Sequence, residues 1–284
     1  MTARCLEGLR DDAAESTTTR IRVGRSLPGI ERLEARFGRE GFALHRHDTY
    51  AIGVTMSGIQ SFRYRGAQRY CRPRQCHILH PDEPHDGSSA TASGFGYRIL
   101  YVDPSLLQQA LGGRPLPFVA DPVAAIPAAH ARLLLRAWDI DDALDDVDHA
   151  ELVVGIADTL RTLSSNSQEP PRPLPLRALQ RVRDAIMAEP ARRYAAGCLE
   201  DVAGLDRWTL ARGFRAAYGT SPRAFRTMRQ LDRARHLITA GRSLAVAAVA
   251  AGFCDQSHMS RMFKRAYGLT PLRWASAVAA RGAA

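Results

Sequence analysis

Lysine is almost missing from this chain: Lys264 is the only one, and arginine supplies the rest of its 39 basic side chains. A bias of that kind can reflect a general preference for arginine, so the net charge of +10 excludes nothing until its distribution is known. Long apolar runs are lacking too. None approaches the roughly 20 residues that a membrane-spanning helix needs, and Met1 to Arg20 is acidic and threonine-rich, unlike a secretory signal. A cytoplasmic protein without membrane contact is therefore expected. Cysteine is scarce and odd in number, and Cys5, Cys71, Cys76, Cys198 and Cys254 lack metal-ligand spacing. That excludes a disulfide framework and points to reduced thiols, with a Cys71–Cys76 redox pair as a minor alternative.

What is present is divided unevenly. From Arg172 onward there are 20 basic and 7 acidic residues, against 19 and 22 before it. An arginine preference alone would not separate the two halves in this way. The basic half is expected to meet nucleic-acid phosphate, with salt-sensitive binding. At 284 residues the chain has room for two domains, each with its own core. Ser164 to Pro175, reading SSNSQEPPRPLP, has the composition of an extended tether. The expected division is a disordered N-terminus over 1–20, one domain over 21–163, a linker over 164–175 and a second domain over 176–284.

The basic half repeats itself. Leu210 to Pro222 reads LARGFRAAYGTSP and Met259 to Pro271 reads MSRMFKRAYGLTP, an offset of 49 residues. Each copy follows a short apolar segment that stops at a glycine, Gly204 or Gly252, suited to the left-handed conformation that ends a helix. Asp206 and Asp255 then have the right chemistry to cap a second helix. The order is helix, tight turn, helix. Leu210, Gly213 and Phe214, and likewise Met259, Met262 and Phe263, form one buried stripe at helical spacing. Arg207, Trp208, Thr209 and Arg212 are left outside in the first unit, and Gln256, Ser257, His258 and Arg261 in the second. One such polar face would be read as solvated surface, but two at the same offset suggest a shared task. Arg and Gln can bond base edges bidentately, and the first turns of the second helix are where such a unit enters the major groove. Between the units, Ser221-Pro222 starts a helix whose Phe225, Met228, Leu231, Ala234, Leu237 and Ile238 form a stripe. Its Arg223, Arg226, Arg229, Arg233 and Arg235 are expected on the outside, on phosphate or in solvent.

At this point the segment from Leu176 to Ala275 closely resembles the DNA-binding domain of the AraC/XylS family of transcriptional regulators. AGLDRWTLARGF, TMRQLDRARHLI and above all GFCDQSHMSRMFKRAYGLTP carry the likeness. It implies base contacts from Trp208 and Arg212, and from Gln256, Ser257, His258 and Arg261. Glu200 departs from the family, which usually has a small residue there. The resemblance further implies a DNA-reading homodimer that activates transcription, with RNA polymerase as a further partner.

In the first half AIGVTM, QSFRYR, HILH and FGYRILYV read as short strands separated by turn residues. A small barrel or double-sheet jelly roll fits them. Two helical stripes follow, with Leu133, Leu134, Ala137 and Trp138 in one and Leu152, Ile156, Leu160 and Leu163 in the other. They suit packing on the sheet, pairing with another subunit, or both. HRHDTYAIGV, Gly58, FRYRG and PDEPHDG resemble the cupin-like ligand-binding domain of the same family. His45, His47 and His85 stand as cupin metal ligands do, yet Tyr50, Ala51 and Ile52 supply no carboxylate where a catalytic cupin has a glutamate. The expectation is therefore no metal, no cofactor and no catalytic residue, but a polar pocket for a small-molecule effector lined by His45, His47, Tyr50, Tyr64 and His85.

The fold class expected is multidomain α+β. A β-rich cupin-like barrel with two following helices precedes an all-α domain of two helix-turn-helix units joined by a long helix. The function expected is sequence-specific DNA binding under the control of an effector. A metal-dependent cupin enzyme or metal sensor with a DNA-binding domain is the alternative.

Overall fold

The computed structural model describes residues 19–279, apart from 26, 40, 127, 165–172 and 196. Most of the expected N-terminal disorder and most of the expected linker thus lie outside the described residues, although the first strand already begins at Arg20.

The described residues of the first half contain ten strands: β1 (Arg20–Val23), β2 (Ile30–Phe37), β3 (Phe42–His45), β4 (Tyr50–Ser57), β5 (Gln60–Tyr64), β6 (Ala67–Cys71), β7 (Cys76–Leu79), β8 (His85–Ser89), β9 (Phe95–Val102) and β10 (Val123–Ala124). They form two antiparallel sheets, one ordered β1-β2-β9-β4-β7-β10 and the other β3-β8-β5-β6. This is the double-sheet version of the expected architecture; the strands do not join into one closed barrel.

Period-two alternation gives the large sheet two apolar faces. Tyr50, Ile52, Val54, Leu100 and Val102 point to one side. There they meet α1 (Pro104–Ala110), α2 (Ala128–Trp138) and α3 (Asp146–Leu163). Trp138 anchors this layer by donating its indole N–H to Ile52 O at 3.0 Å. Leu134, Ala137, Leu152, Ile156 and Leu160 are buried here as well, so the two helical stripes pack on the sheet. Ala51, Phe95, Tyr97 and Ile99 point to the other side, toward Phe62 and Tyr64 of the small sheet.

The helical half contains α4 (Leu176–Ala188), α5 (Cys198–Ala203), α6 (Arg207–Tyr218), α7 (Pro222–Thr239), α8 (Leu244–Ala250), α9 (Gln256–Tyr267) and α10 (Pro271–Ala279). The repeat is realised as two helix-turn-helix units, α5–α6 and α8–α9. Asp206 caps α6 through Trp208 N and Thr209 N, and Asp255 caps α9 through His258 N. Ser221 caps α7, an 18-residue helix of roughly 27 Å at 1.5 Å per residue.

The two units have different cores. The first packs α4, α5, α6 and the start of α7 around Leu179, Val182, Phe214 and Phe225. The second has no separate core: Met228, Leu231, Met259, Phe263, Leu269 and Trp274 belong to the same buried cluster as Ile21, Phe37, Phe95 and Ile99 of the sheets.

Candidate DNA-reading faces and effector cavity

The outward face of each recognition helix comes from the register its cap sets. Arg207, Trp208, Arg212, Gln256, Ser257 and Arg261 are exposed. Trp208 stands out as a large apolar side chain left 69% exposed. Thr209 and His258, the equivalent third residues of the two helices, are only half-exposed and engage the scaffold. The Thr209 hydroxyl turns to the capping Asp206. His258 Nδ1 lies 3.2 Å from Cys254 Sγ, and its ring meets Phe253 edge-on. Glu200 faces Arg207, with oxygen and nitrogen 3.5 Å apart. The family departure at this position therefore puts a carboxylate beside one of the reading arginines.

The opposite ends of the recognition helices dock on the β domain. Each ends at a glycine with positive φ, Gly219 at +73° and Gly268 at +71°. A Cβ on Gly219 would lie 2.5 Å from Pro81 Cβ, and one on Gly268 would lie 2.8 Å from Phe42 Cβ and 2.9 Å from Ala43 O. Left-handed backbone and close approach both require glycine here. Ala43 N donates to Gly268 O at 3.1 Å and Arg46 N to Arg265 O at 3.0 Å, so the β3 segment hydrogen-bonds to the C-terminal end of α9. Leu116 N donates in the same way to Ala216 O of α6 at 3.0 Å.

Between the sheets and α7, α9 and α10 lies a cavity of about 770 Å³. Ile21, Leu33, Phe37 and Ile99 give it apolar walls, and Met228, Ala266, Leu269 and Trp274 close it from the DNA-binding half. His45, His47, His77 and His85 supply most of its ring nitrogens. His45 and His85 are cross-strand partners, while β3 ends at His45 and leaves His47 in the following loop, not on a continuing strand.

Burial, followed by the repulsion of His85 for both and of His47 for His45, holds His45 well below the usual imidazole range and His47 at about 3. Burial likewise takes His85 down to about 4 and His77 to about 3. All four are neutral at physiological pH. Tyr50 and Tyr64, expected on the pocket, do not line it. Tyr50 points to the other face of the sheet, where its hydroxyl donates to Pro117 O at 3.0 Å. The Tyr64 hydroxyl is 2.9 Å from His80 Nδ1 and accepts from His80 N.

Two arginines expected on the outside of α7 are instead inside. Arg229 bonds both carboxylate oxygens of Asp48 at 3.0 and 2.9 Å, and Arg235 grips Glu31 at 2.9 and 2.6 Å. They line the cavity and pair the two halves across its wall. Helical spacing alone cannot reveal this, because it identifies the polar side of α7 but not what that side faces.

A family model for an AraC-like ligand binding domain matches residues 27–170, and one for a helix-turn-helix domain matches residues 199–277. The chain belongs to the AraC family. Its architecture is a ligand-binding domain coupled to a DNA-binding one, that of a ligand-responsive transcription regulator. No curated protein matches this AraC-family chain significantly in sequence. Among solved structures it is similar to ToxT from Vibrio cholerae, at 13% identity, covering 88% of this chain and 99% of that one with a TM-score of 0.64. A ToxT structure with a bound unsaturated fatty acid matches at 12% identity, covering 94% of this chain and 99% of that one with a TM-score of 0.63. These likenesses establish the fold across both halves.

Proposed function

We propose that this regulator reads DNA with two non-identical recognition helices and that a largely apolar effector, bound in the cavity between its halves, changes their relative placement. The observation that carries the reading is the shared wall: the cavity's lining runs without a break from the β-sheets into α7, α9 and α10. Its volume lies within the range of small-molecule sites, and its apolar walls are interrupted by histidines and by ion-paired side chains. Regulation requires the effector to favour one arrangement over the other.

The arginines on the cavity wall are engaged, Arg229 and Arg235 in ion pairs and Arg32 with the carbonyls of Arg25, Asp139 and Asp142. A carboxylate such as the fatty acid of the ToxT complex would therefore have to displace Asp48 or Glu31. A neutral effector whose hydroxyl or amine faces the imidazoles of His45, His47 and His85 meets no such competition.

Arg207, Trp208 and Arg212 would read one set of bases and Gln256, Ser257 and Arg261 another, with Thr209 and His258 holding the helix starts. The role proposed is activation, as a homodimer that engages RNA polymerase in the cytoplasm, with no catalytic step. No described helix is long and apolar enough to cross a membrane. The domain limits proposed are 21–163 and 176–284, joined by 164–175.

Mobility-shift titration on DNA upstream of the gene tests the reading, with and without a panel of neutral and carboxylated apolar compounds. Sequence-specific retention whose affinity shifts with a neutral member supports it. Retention unchanged by the Arg212→Ala, Arg261→Ala double variant refutes the DNA assignment. Ligand binding that leaves operator affinity unchanged refutes the coupling.

A further inference from the structure

Four arginines gather where the two helix-turn-helix units meet, and none of them lines the cavity. The loop between α4 and α5 carries Arg192 and Arg193, and the first turns of α7 carry Arg223 and Arg226. Arg226 joins the two segments: its Nε donates to Arg192 O at 2.7 Å and its Nη2 to Ala191 O at 3.3 Å. Tyr194 ties the loop to α4 by donating to Ala185 O at 2.7 Å, and the Arg192 guanidinium lies 5.5 Å from the centre of its ring. The loop also closes on the second unit. Gln230 donates to Ala251 O and Gly252 O, and a Cβ on Gly252 would come within 2.8 Å of Ala191. Gly252 stands just before Asp255, the cap of α9. The loop therefore abuts the N-terminal, base-reading end of that helix and not the end docked on the β domain.

Like charges at close range repel, and this cluster lacks the acidic groups that would offset them. Burial is the largest cause lowering the Arg226 guanidinium, and both Arg193 and Arg223 lie close enough to lower it further. Among the described residues only Glu189 pairs with any of the four, meeting Arg192 at 3.8 Å. Elsewhere in the same half Arg183, Arg215, Arg229 and Arg235 each have a carboxylate partner. Arg193 and Arg223 are exposed, with no ion pair among the described residues.

We propose that Arg192, Arg193 and Arg223 form a phosphate-binding surface that grips the DNA backbone between the two base-reading tracts, with Arg226 as the positioning residue that holds the loop in place. A duplex that meets α6 and α9 in successive major grooves presents the intervening minor groove, with a phosphate backbone along each edge, to whatever lies between the two units. Arg226 turns its guanidinium to backbone carbonyls, so it shapes the surface and leaves the phosphates to its neighbours. The proposal rests on the DNA-reading assignment for where the duplex lies. Phosphate contacts act on any sequence, however, so the surface can be tested apart from base reading.

The test titrates the full chain against DNA upstream of the gene and against a scrambled duplex across a salt series. Arg193→Ala and Arg223→Ala should each weaken both duplexes by the same factor and flatten the log–log salt dependence by about 0.9. A fourfold rise in salt then costs each variant roughly 3.5-fold less affinity than it costs wild type. Arg226→Lys keeps the charge but not the forked donor, and a similar flattening is expected of it. Arg72 is exposed between β6 and β7, and Arg72→Ala should leave the slope unchanged. On upstream DNA, ethylation of phosphates between the two protected tracts should block wild-type binding and lose that effect in Arg193→Ala. Wild-type slopes in Arg193→Ala and Arg223→Ala overturn the surface and leave it to an acidic protein partner. Equal flattening by Arg72→Ala overturns it as well, as an effect of net charge alone, and a wild-type slope in Arg226→Lys overturns the positioning role. Failure of base reading looks different: wild type would bind both duplexes equally, and the slopes would still decide the surface.

Discussion

Individual side chains in the two reading faces have different duties despite their equivalent positions. Arg212 and Arg261 recur in both copies, are exposed, and have no ion-pair partner among the described residues. Replacing either with alanine should cost about 1–3 kcal/mol of specific binding and relax the preference at the bases it reads. Competitive mobility shifts against scrambled DNA measure this, and unfolding midpoints should stay unchanged. Glu200 acts in the opposite sense. Its ion pair with Arg207, which is 71% exposed, contributes little stability but offsets part of the positive charge that this guanidinium would present to DNA. Glu200→Ala should therefore tighten binding to all sequences and, if Arg207 gains a phosphate, steepen the log–log salt dependence by roughly 0.9. Filter binding across a salt series would reveal it, and weaker binding would mean that Glu200 positions Arg207 productively.

Helices and strands bring a second set of constraints, concentrated on α7. The Arg229 side chain is 18% exposed and its partner Asp48 5%, and Asp48 and Asp232 hold the guanidinium firmly charged against the opposing effect of burial. Removing one partner of such a pair leaves a buried charge unpaired. Arg229→Ala is expected to destabilise the fold by about 3–5 kcal/mol, whereas Arg229→Met with Asp48→Leu should recover most of that loss. Urea titrations of the single and double variants test the contrast. Equal losses in both would show that packing and not charge dominates. At the end of α9, Gly268 joins backbone conformation to domain docking. Gly268→Ala puts a methyl against Phe42 and Ala43 O in a left-handed residue, so β3 and α9 should separate. Faster proteolysis in the docked segment together with altered effector response is expected.

For the molecule as a whole, the buried imidazoles give stability a steep acid edge. His77 and His80 are neutral when folded, burial lowering them to about 3 and about 4, while an unfolded histidine titrates near 6.5. Their folded values are depressed, so above pH 6.5 neither state binds these protons and stability is full. Below it the unfolded chain takes up protons that the folded chain refuses, until the folded values are reached. Each group contributes about 1.4 kcal/mol per pH unit, so stability should fall by about 3 kcal/mol per unit between roughly pH 6 and 4 from these two alone. Unfolding midpoints at pH 7.5, 6 and 5 measure it, and a flat profile would mean that water reaches the rings. The core shared by the sheets and the second helix-turn-helix unit gives an asymmetric expectation. An effector in the cavity should change protection from hydrogen exchange in α9 more than in α6, whose core is separate.

Much of this was legible from the chain alone, because the relevant interactions are local. The caps at Asp206, Asp255 and Ser221, the helix ends at Gly204 and Gly252 and the exposed faces of α6 and α9 depend on neighbours three or four residues away. The alternation of β4 likewise announces two apolar faces. What only the tertiary structure decided depends on residues far apart in sequence. Asp48 and Arg229 are separated by 181 positions, and Glu31 and Arg235 by 204. Their pairing turned two arginines expected on phosphate or in solvent into the wall of a cavity. Tyr50, expected on the pocket, opens β4 and faces the helices instead, because two apolar faces look alike until something packs on each. Periodicity fixes what a residue's own element needs of it, and the partner across the domain boundary settles the rest.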